Sequence, residues 1–146
     1  MASRGSAGSI ITPNSRFQAM AITAFYAAIL GLWLVTLSAR VIVFRRSEKV
    51  SLGHGGHATL ERRMRAQGNL TEYAPLALIL IGTLELADVS DLVIHLLGIL
   101  LVVGRLLHGW ALSFTPGNSI GRTGGMVLTL TVIGAAAVLN IAKFLG

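Results

Sequence analysis

An all-α integral membrane protein, built as a bundle of four spanning helices, is the fold class this sequence predicts, and three observations carry it. Of 146 residues, 53% are apolar and only 12% charged, with a mean hydropathy of +0.73, a composition outside that of water-soluble domains. The apolar residues run continuously instead of alternating, which favours helices over a barrel, because a helix satisfies its backbone amides within one segment. Four such runs, at residues 17–44, 67–87, 92–114 and 120–145, reach the roughly 20 residues needed to cross a hydrocarbon layer of about 30 Å.

The first 16 residues are rich in Gly and Ser and are expected to form a flexible tail ahead of a membrane domain spanning 17–145. The first apolar run is far longer than a signal-peptide core and has no convincing cleavage site, so it is expected to be retained as the first helix. Seven of the twelve basic residues fall between Arg40 and Arg65, whereas the connection between the second and third runs holds Glu85, Asp88 and Asp91 and no Lys or Arg. The positive-inside rule then makes the first loop cytoplasmic and puts both termini on the far side of the membrane. The net charge of +6 and a pI near 11.2 follow from this bias beside a membrane segment. They do not require a nucleic-acid partner, since no aromatic-rich soluble platform accompanies them. The chain has no cysteine, which excludes disulfides and a cysteine nucleophile of its own.

The first helix is poor in polar residues until Ser38-Ala39-Arg40, and Arg45, Arg46 and Lys49 mark its cytoplasmic exit. Arg40 there either snorkels to the headgroups or serves a ligand. Gly53-His54-Gly55-Gly56-His57 reads as a loop tip, and its two histidines lack the acidic or thiol partners a metal site needs. Thr59-Leu60-Glu61-Arg62 opens a helix that begins in the cytoplasm and continues unbroken into the second span. The apolar stretch from Tyr73 to Leu84 is only twelve residues long, so that span must borrow length upstream and carry Asn69 and Glu72 below the membrane surface. Arg62, Arg65, Asn69 and Glu72, spaced three, four and three apart, share one helix face. Such a stripe is a ligand site or a packing surface between subunits. Pro75 removes one backbone hydrogen bond, leaves the Thr71 carbonyl without its usual donor and is expected to bend the helix, opening space beside the stripe. The Asn69-Leu70-Thr71 sequon falls on the cytoplasmic side and carries no glycan there.

The third helix contains Arg105 and His108. Arg105 lies about nine residues, or roughly 13 Å, from the cytoplasmic end, and an unpaired arginine at that depth costs about 2.5–3.5 kcal/mol on insertion scales. Glu72, entering from the same side on the neighbouring antiparallel helix, is the expected partner of Arg105. His108 shares the Arg105 face as either a satisfied core residue or a ligand contact, and His95 is expected near the opposite interface. The segment from Thr115 to Ser119 is a turn. It leads into Ile120-Gly121-Arg122-Thr123-Gly124-Gly125, where the open amides of a helix N-terminus and the Arg122 charge favour an anion such as a thiolate. Arg122 is otherwise one more positive-inside anchor. Gly121, Gly125 and Thr129 permit a close helix approach.

The residues from Glu61 to Pro75, the run Gly104-Arg105-Leu106-Leu107-His108 and the four-span layout resemble the membrane-associated proteins in eicosanoid and glutathione metabolism, the MAPEG family. The likeness covers about residues 17–145 and is nearest to small bacterial inner-membrane members, which similarly show Gly-Asn and Glu-Tyr pairs and a Gly-Arg-Leu-x-His run. It implies a homotrimer that binds glutathione as co-substrate near the cytoplasmic face, in clefts between neighbouring subunits. Carried over by residue, Arg40, Arg65, Asn69, Glu72, Tyr73, Arg105, His108 and Thr123 would bind glutathione, and Arg122 would act on its sulfur. Three or four arginines, a glutamate and an asparagine complement the two carboxylates, ammonium and thiol of that tripeptide. The implied activity is a glutathione S-transferase, with glutathione peroxidase activity alongside, acting on apolar electrophiles or lipid hydroperoxides. Two positions depart from the eicosanoid-forming relatives, Gly68 where they often have a second basic residue and Leu112 where they often have a tyrosine; a non-catalytic or regulatory trimer of the same fold is the alternative, and Leu112 favours it.

Overall fold

A computed structural model describes residues 20–115, 117 and 119–146, and among these every regular element is an α-helix. In chain order they are α1 (Ala21–Ser47), α2 (Ala58–Leu86), α3 (Asp91–Phe114) and α4 (Ile120–Leu145). The expected tail at 1–16, the start of the first run at 17–19, and Pro116 and Asn118 of the turn lie outside the described residues. The first helix continues three residues past its expected end, to Ser47, and the second begins at Ala58 and runs unbroken into its apolar stretch with Pro75 inside it.

Three of the helices, α1, α3 and α4, are long and apolar enough to cross a membrane. The sequence reading expected four such spans; α2 falls short by composition, because Asn69 and Glu72 at one end of its apolar stretch and Glu85 at the other dilute it.

Contacts at the helix ends fix the directions. The carboxylate of Glu85, in the last turn of α2, accepts the backbone N–H groups of Ile22 (2.9 Å) and Thr23 (2.8 Å) at the start of α1. This cross-helix cap supplies acceptors that the N-cap residue Met20 does not, and it sets α1 antiparallel to α2. Tyr26 Oη and His95 Nδ1, each early in its helix, lie 2.8 Å apart and hold α1 parallel to α3. Late in the chain, Asn140 donates to the Leu80 carbonyl at 2.9 Å, tying α4 parallel to α2.

The helices α2 and α3 form the centre, with α1 and α4 at opposite edges. Each edge helix buries one stripe: Thr23, Tyr26, Leu30, Leu37 and Val41 on α1, and Gly125, Thr129, Val132 and Ala136 on α4. Their other faces expose Phe25, Leu32, Val35, Val138 and Ile141, an arrangement that costs free energy in water and none against lipid tails. The expected close approach occurs between α3 and α4, where a Cβ on Gly125 would sit 2.5 Å from the Gly104 carbonyl and 2.7 Å from the His108 amide.

Candidate functional site

At the basic end of the bundle, where α1 and α3 finish and α2 and α4 begin, the polar stripe of α2 faces the start of α4 across an open hollow of about 610 Å³. Arg62, Arg65, Asn69, Glu72 and Tyr73 line it from α2, His108 and Leu112 from α3, and Arg122 and Met126 from α4. The volume falls within the roughly 300–1,000 Å³ of small-molecule sites. Charge is mixed but weighted positive, since three cationic residues, Arg62, Arg65 and Arg122, line it with two acidic ones, Glu61 and Glu72. A smaller hollow of about 300 Å³ continues along α4, lined by His108, Arg122, Thr123, Met126 and Val127.

Arg122 is held from several sides. Its backbone N–H donates to the side chain of the N-cap residue Ser119 (3.3 Å), and its Nη1 donates to the Gly117 carbonyl (2.8 Å). Gly117 offers that carbonyl from a backbone with φ of +79°, the left-handed region glycine adopts without strain. The Arg122 carbonyl lies 2.9 Å from His108 Nδ1. A carbonyl only accepts, so the proton sits on Nδ1 and, in the neutral ring, Nε2 keeps its lone pair.

Arg105 is 2% exposed and lies directly behind this surface. The expected pairing with Glu72 is corrected here: Arg105 Nη1 donates to Asn69 Oδ1 at 2.7 Å and reaches the Asn69 carbonyl at 3.4 Å, and Nη2 reaches the Gly125 carbonyl at 3.5 Å. The Tyr73 ring centroid lies 5.6 Å from its guanidinium carbon. Neutral oxygens and a ring face thus surround the cation, while Glu72 remains exposed on the rim.

Arg40 stands apart from the hollow. Its guanidinium packs 3.8 Å over the Phe114 ring, and its backbone carbonyl accepts Arg63 Nη1 at 3.0 Å. Of the nine candidate residues, therefore, Arg65, Asn69, Glu72, Tyr73, His108 and Arg122 meet at one hollow, Thr123 lines its extension, Arg105 backs it and Arg40 belongs to another face. Sequence reasoning missed Glu61 and Met126 on its wall; Glu61, one turn ahead of Arg65, was available from the same helical spacing.

Among the described residues an all-helical body with apolar outward faces and a charged hollow let into one end defines an integral membrane protein. The chain belongs to the MAPEG family, whose model matches residues 23–142. It is 34% identical over 87 residues to the inner membrane protein YecN in two strains of Escherichia coli, K12 and an O6:H1 strain; the match takes in 60% of this chain and 66% of the relative. The chain thus spans just under two thirds of the length of these curated relatives. A relative named for the inner membrane and three helices of spanning length support placement in that membrane.

Proposed function

We propose that this chain is a membrane-bound glutathione S-transferase, with glutathione peroxidase activity as its second expression, conjugating a glutathione thiolate to apolar electrophiles or reducing lipid hydroperoxides. One observation carries the reading: guanidiniums, carboxylates, an amide and an imidazole line a single hollow at the end of the bundle where α3 finishes and α4 begins. Cations there suit the two carboxylates of the tripeptide, Glu61 and Glu72 suit its ammonium, and Arg122 beside the first turn of α4 favours a thiolate over a thiol, as cations do for cysteine. In conjugation, sulfur gives its electron pair to the electrophilic carbon and the leaving group departs with its bonding pair. In peroxide reduction, sulfur attacks the distal oxygen, the O–O bond breaks and its electron pair leaves on the alkoxide, which takes a proton to become the alcohol; a second glutathione then displaces water from the sulfenic acid to form the disulfide.

The same reading takes α2 as a fourth span that starts in the cytoplasm. It places the basic end of the bundle on the cytoplasmic side and both termini in the periplasm. It also assembles three copies, so that the open side of each hollow faces a neighbour and Arg40 is free to serve across the seam. A second reading, a non-catalytic trimer, is favoured by Leu112: it lines the hollow with hydrocarbon, where eicosanoid-forming relatives offer a phenol.

The deciding experiment titrates the purified protein with glutathione while following thiolate absorbance, then measures turnover with chlorodinitrobenzene and with a lipid hydroperoxide. Absorbance with turnover upholds the enzyme; no turnover, with or without absorbance, removes it and upholds the non-catalytic trimer.

A further inference from the structure

Asn69 lines the hollow, and its side-chain amide also meets Arg105 behind it. Arg105 is a donor on every nitrogen and cannot accept a hydrogen bond. It is buried, and its Nη1 meets Asn69 Oδ1 at 2.7 Å. Turning the amide over would set the Asn69 NH2 against the guanidinium, donor against donor, in a setting where an unmet polar group costs more than a made bond gains. A second contact, Nη1 to the Asn69 carbonyl at 3.4 Å, fixes the guanidinium against the helix backbone as well as the side chain. Asn69 is half-buried and also lines the hollow.

We infer that Arg105 is a positioning residue: it locks the Asn69 amide with Oδ1 turned inward, so that the hollow is offered the two N–H groups of Nδ2 and position 69 selects an acceptor oxygen, a carboxylate or peptide carbonyl, over an ammonium. This deepens the glutathione reading and rests on it for the identity of the ligand, while the orientation itself stands on the Arg105 geometry alone.

Asn69→Asp and Asn69→Leu separate the two halves of the amide. Aspartate keeps an oxygen for Arg105 and replaces the outward N–H groups with a second oxygen, whereas leucine removes both. In full-length protein purified in detergent, Asn69→Asp should melt at or above the wild-type temperature and Asn69→Leu clearly below it. Glutathione affinity should fall about tenfold or more in Asn69→Asp, the scale of a lost hydrogen bond to a charged group. Arg105→Lys, which gives up the planar fork, should raise KM for the thiol with little change in kcat. An Asn69→Asp protein as unstable as Asn69→Leu would overturn the inward oxygen, and one that binds glutathione like wild type would overturn the outward donor. Glutarate serves as a probe independent of the thiol reading. If it protects wild type but not Asn69→Asp from melting while glutathione binds neither, the orientation stands and the glutathione reading fails; if it protects both equally, the orientation fails.

Discussion

At the scale of single residues, depth and direction proved separable. Arg105 was recognisable from sequence as a buried cation, because its distance from the helix end is fixed by a rise of about 1.5 Å per residue; the anion expected beside it is replaced by the neutral oxygens of Asn69 and Gly125. The choice of Asn69 over Glu72 was not recognisable. These two residues differ in depth by only about 4.5 Å on the same helical rise, less than the reach of an arginine, so the rotation of α2 against α3 decides between them. The geometry has a measurable consequence. A buried ion pair broken on one side costs about 3–5 kcal/mol, whereas Glu72 is exposed; Glu72→Gln should leave the melting temperature of the protomer nearly unchanged while weakening glutathione binding and trimer assembly. A fall in melting temperature on the buried-pair scale would contradict that placement. Arg122→Ala should lower turnover by about a hundredfold or more, within the range for removing an electrostatic donor at a reacting atom, and affect glutathione affinity less. Equal losses in the two would assign Arg122 to binding alone.

At the scale of elements, the helix limits were legible because spanning helices announce themselves by continuous apolar length. The fourth run coincides with α4 at Ile120–Leu145 and the third misses α3 by one residue. The contacts between helix ends were not legible. Glu85 read as part of an acidic connection, yet in the fold it takes two backbone N–H groups of α1 sixty-odd residues away, a pairing that no local pattern encodes. Glu85→Ala should cost about 0.5–2 kcal/mol, the range for a lost helix cap, seen as a lower melting temperature with glutathione affinity unchanged. The glycines of α4 were read correctly as permitting close approach. Adding a side chain at Gly125 must push α4 away from the Gly104 carbonyl and the His108 amide. Gly125→Val should therefore destabilise the bundle by about 1–3 kcal/mol and weaken ligand binding with it, because Arg105 and the Arg122–His108 contact both bridge that seam. Unaltered glutathione titration in this variant would show that the α3–α4 spacing does not shape the hollow.

At the scale of the whole molecule, the proposed trimer and four-span topology make two predictions. The protein in detergent should have the mass of three chains when sized by light scattering with the detergent subtracted, and a reporter fused after Gly146 should be active only in the periplasm. A monomer that still turns over glutathione would mean that one protomer holds the entire site and that Arg40, packed on Phe114, has no part in it. The sequence alone determined that this chain is a helical membrane protein with a polar stripe on its second helix, because hydropathy and helical spacing are local quantities that survive without a fold; its motifs added the likeness to the MAPEG family, which the family match bears out. Only the tertiary structure decided which oxygens surround Arg105, that Glu85 caps α1, and that Arg40 lies off the hollow. Each of these depends on how two helices are rotated and set in depth against one another, and that rotation is chosen by the packing of all four.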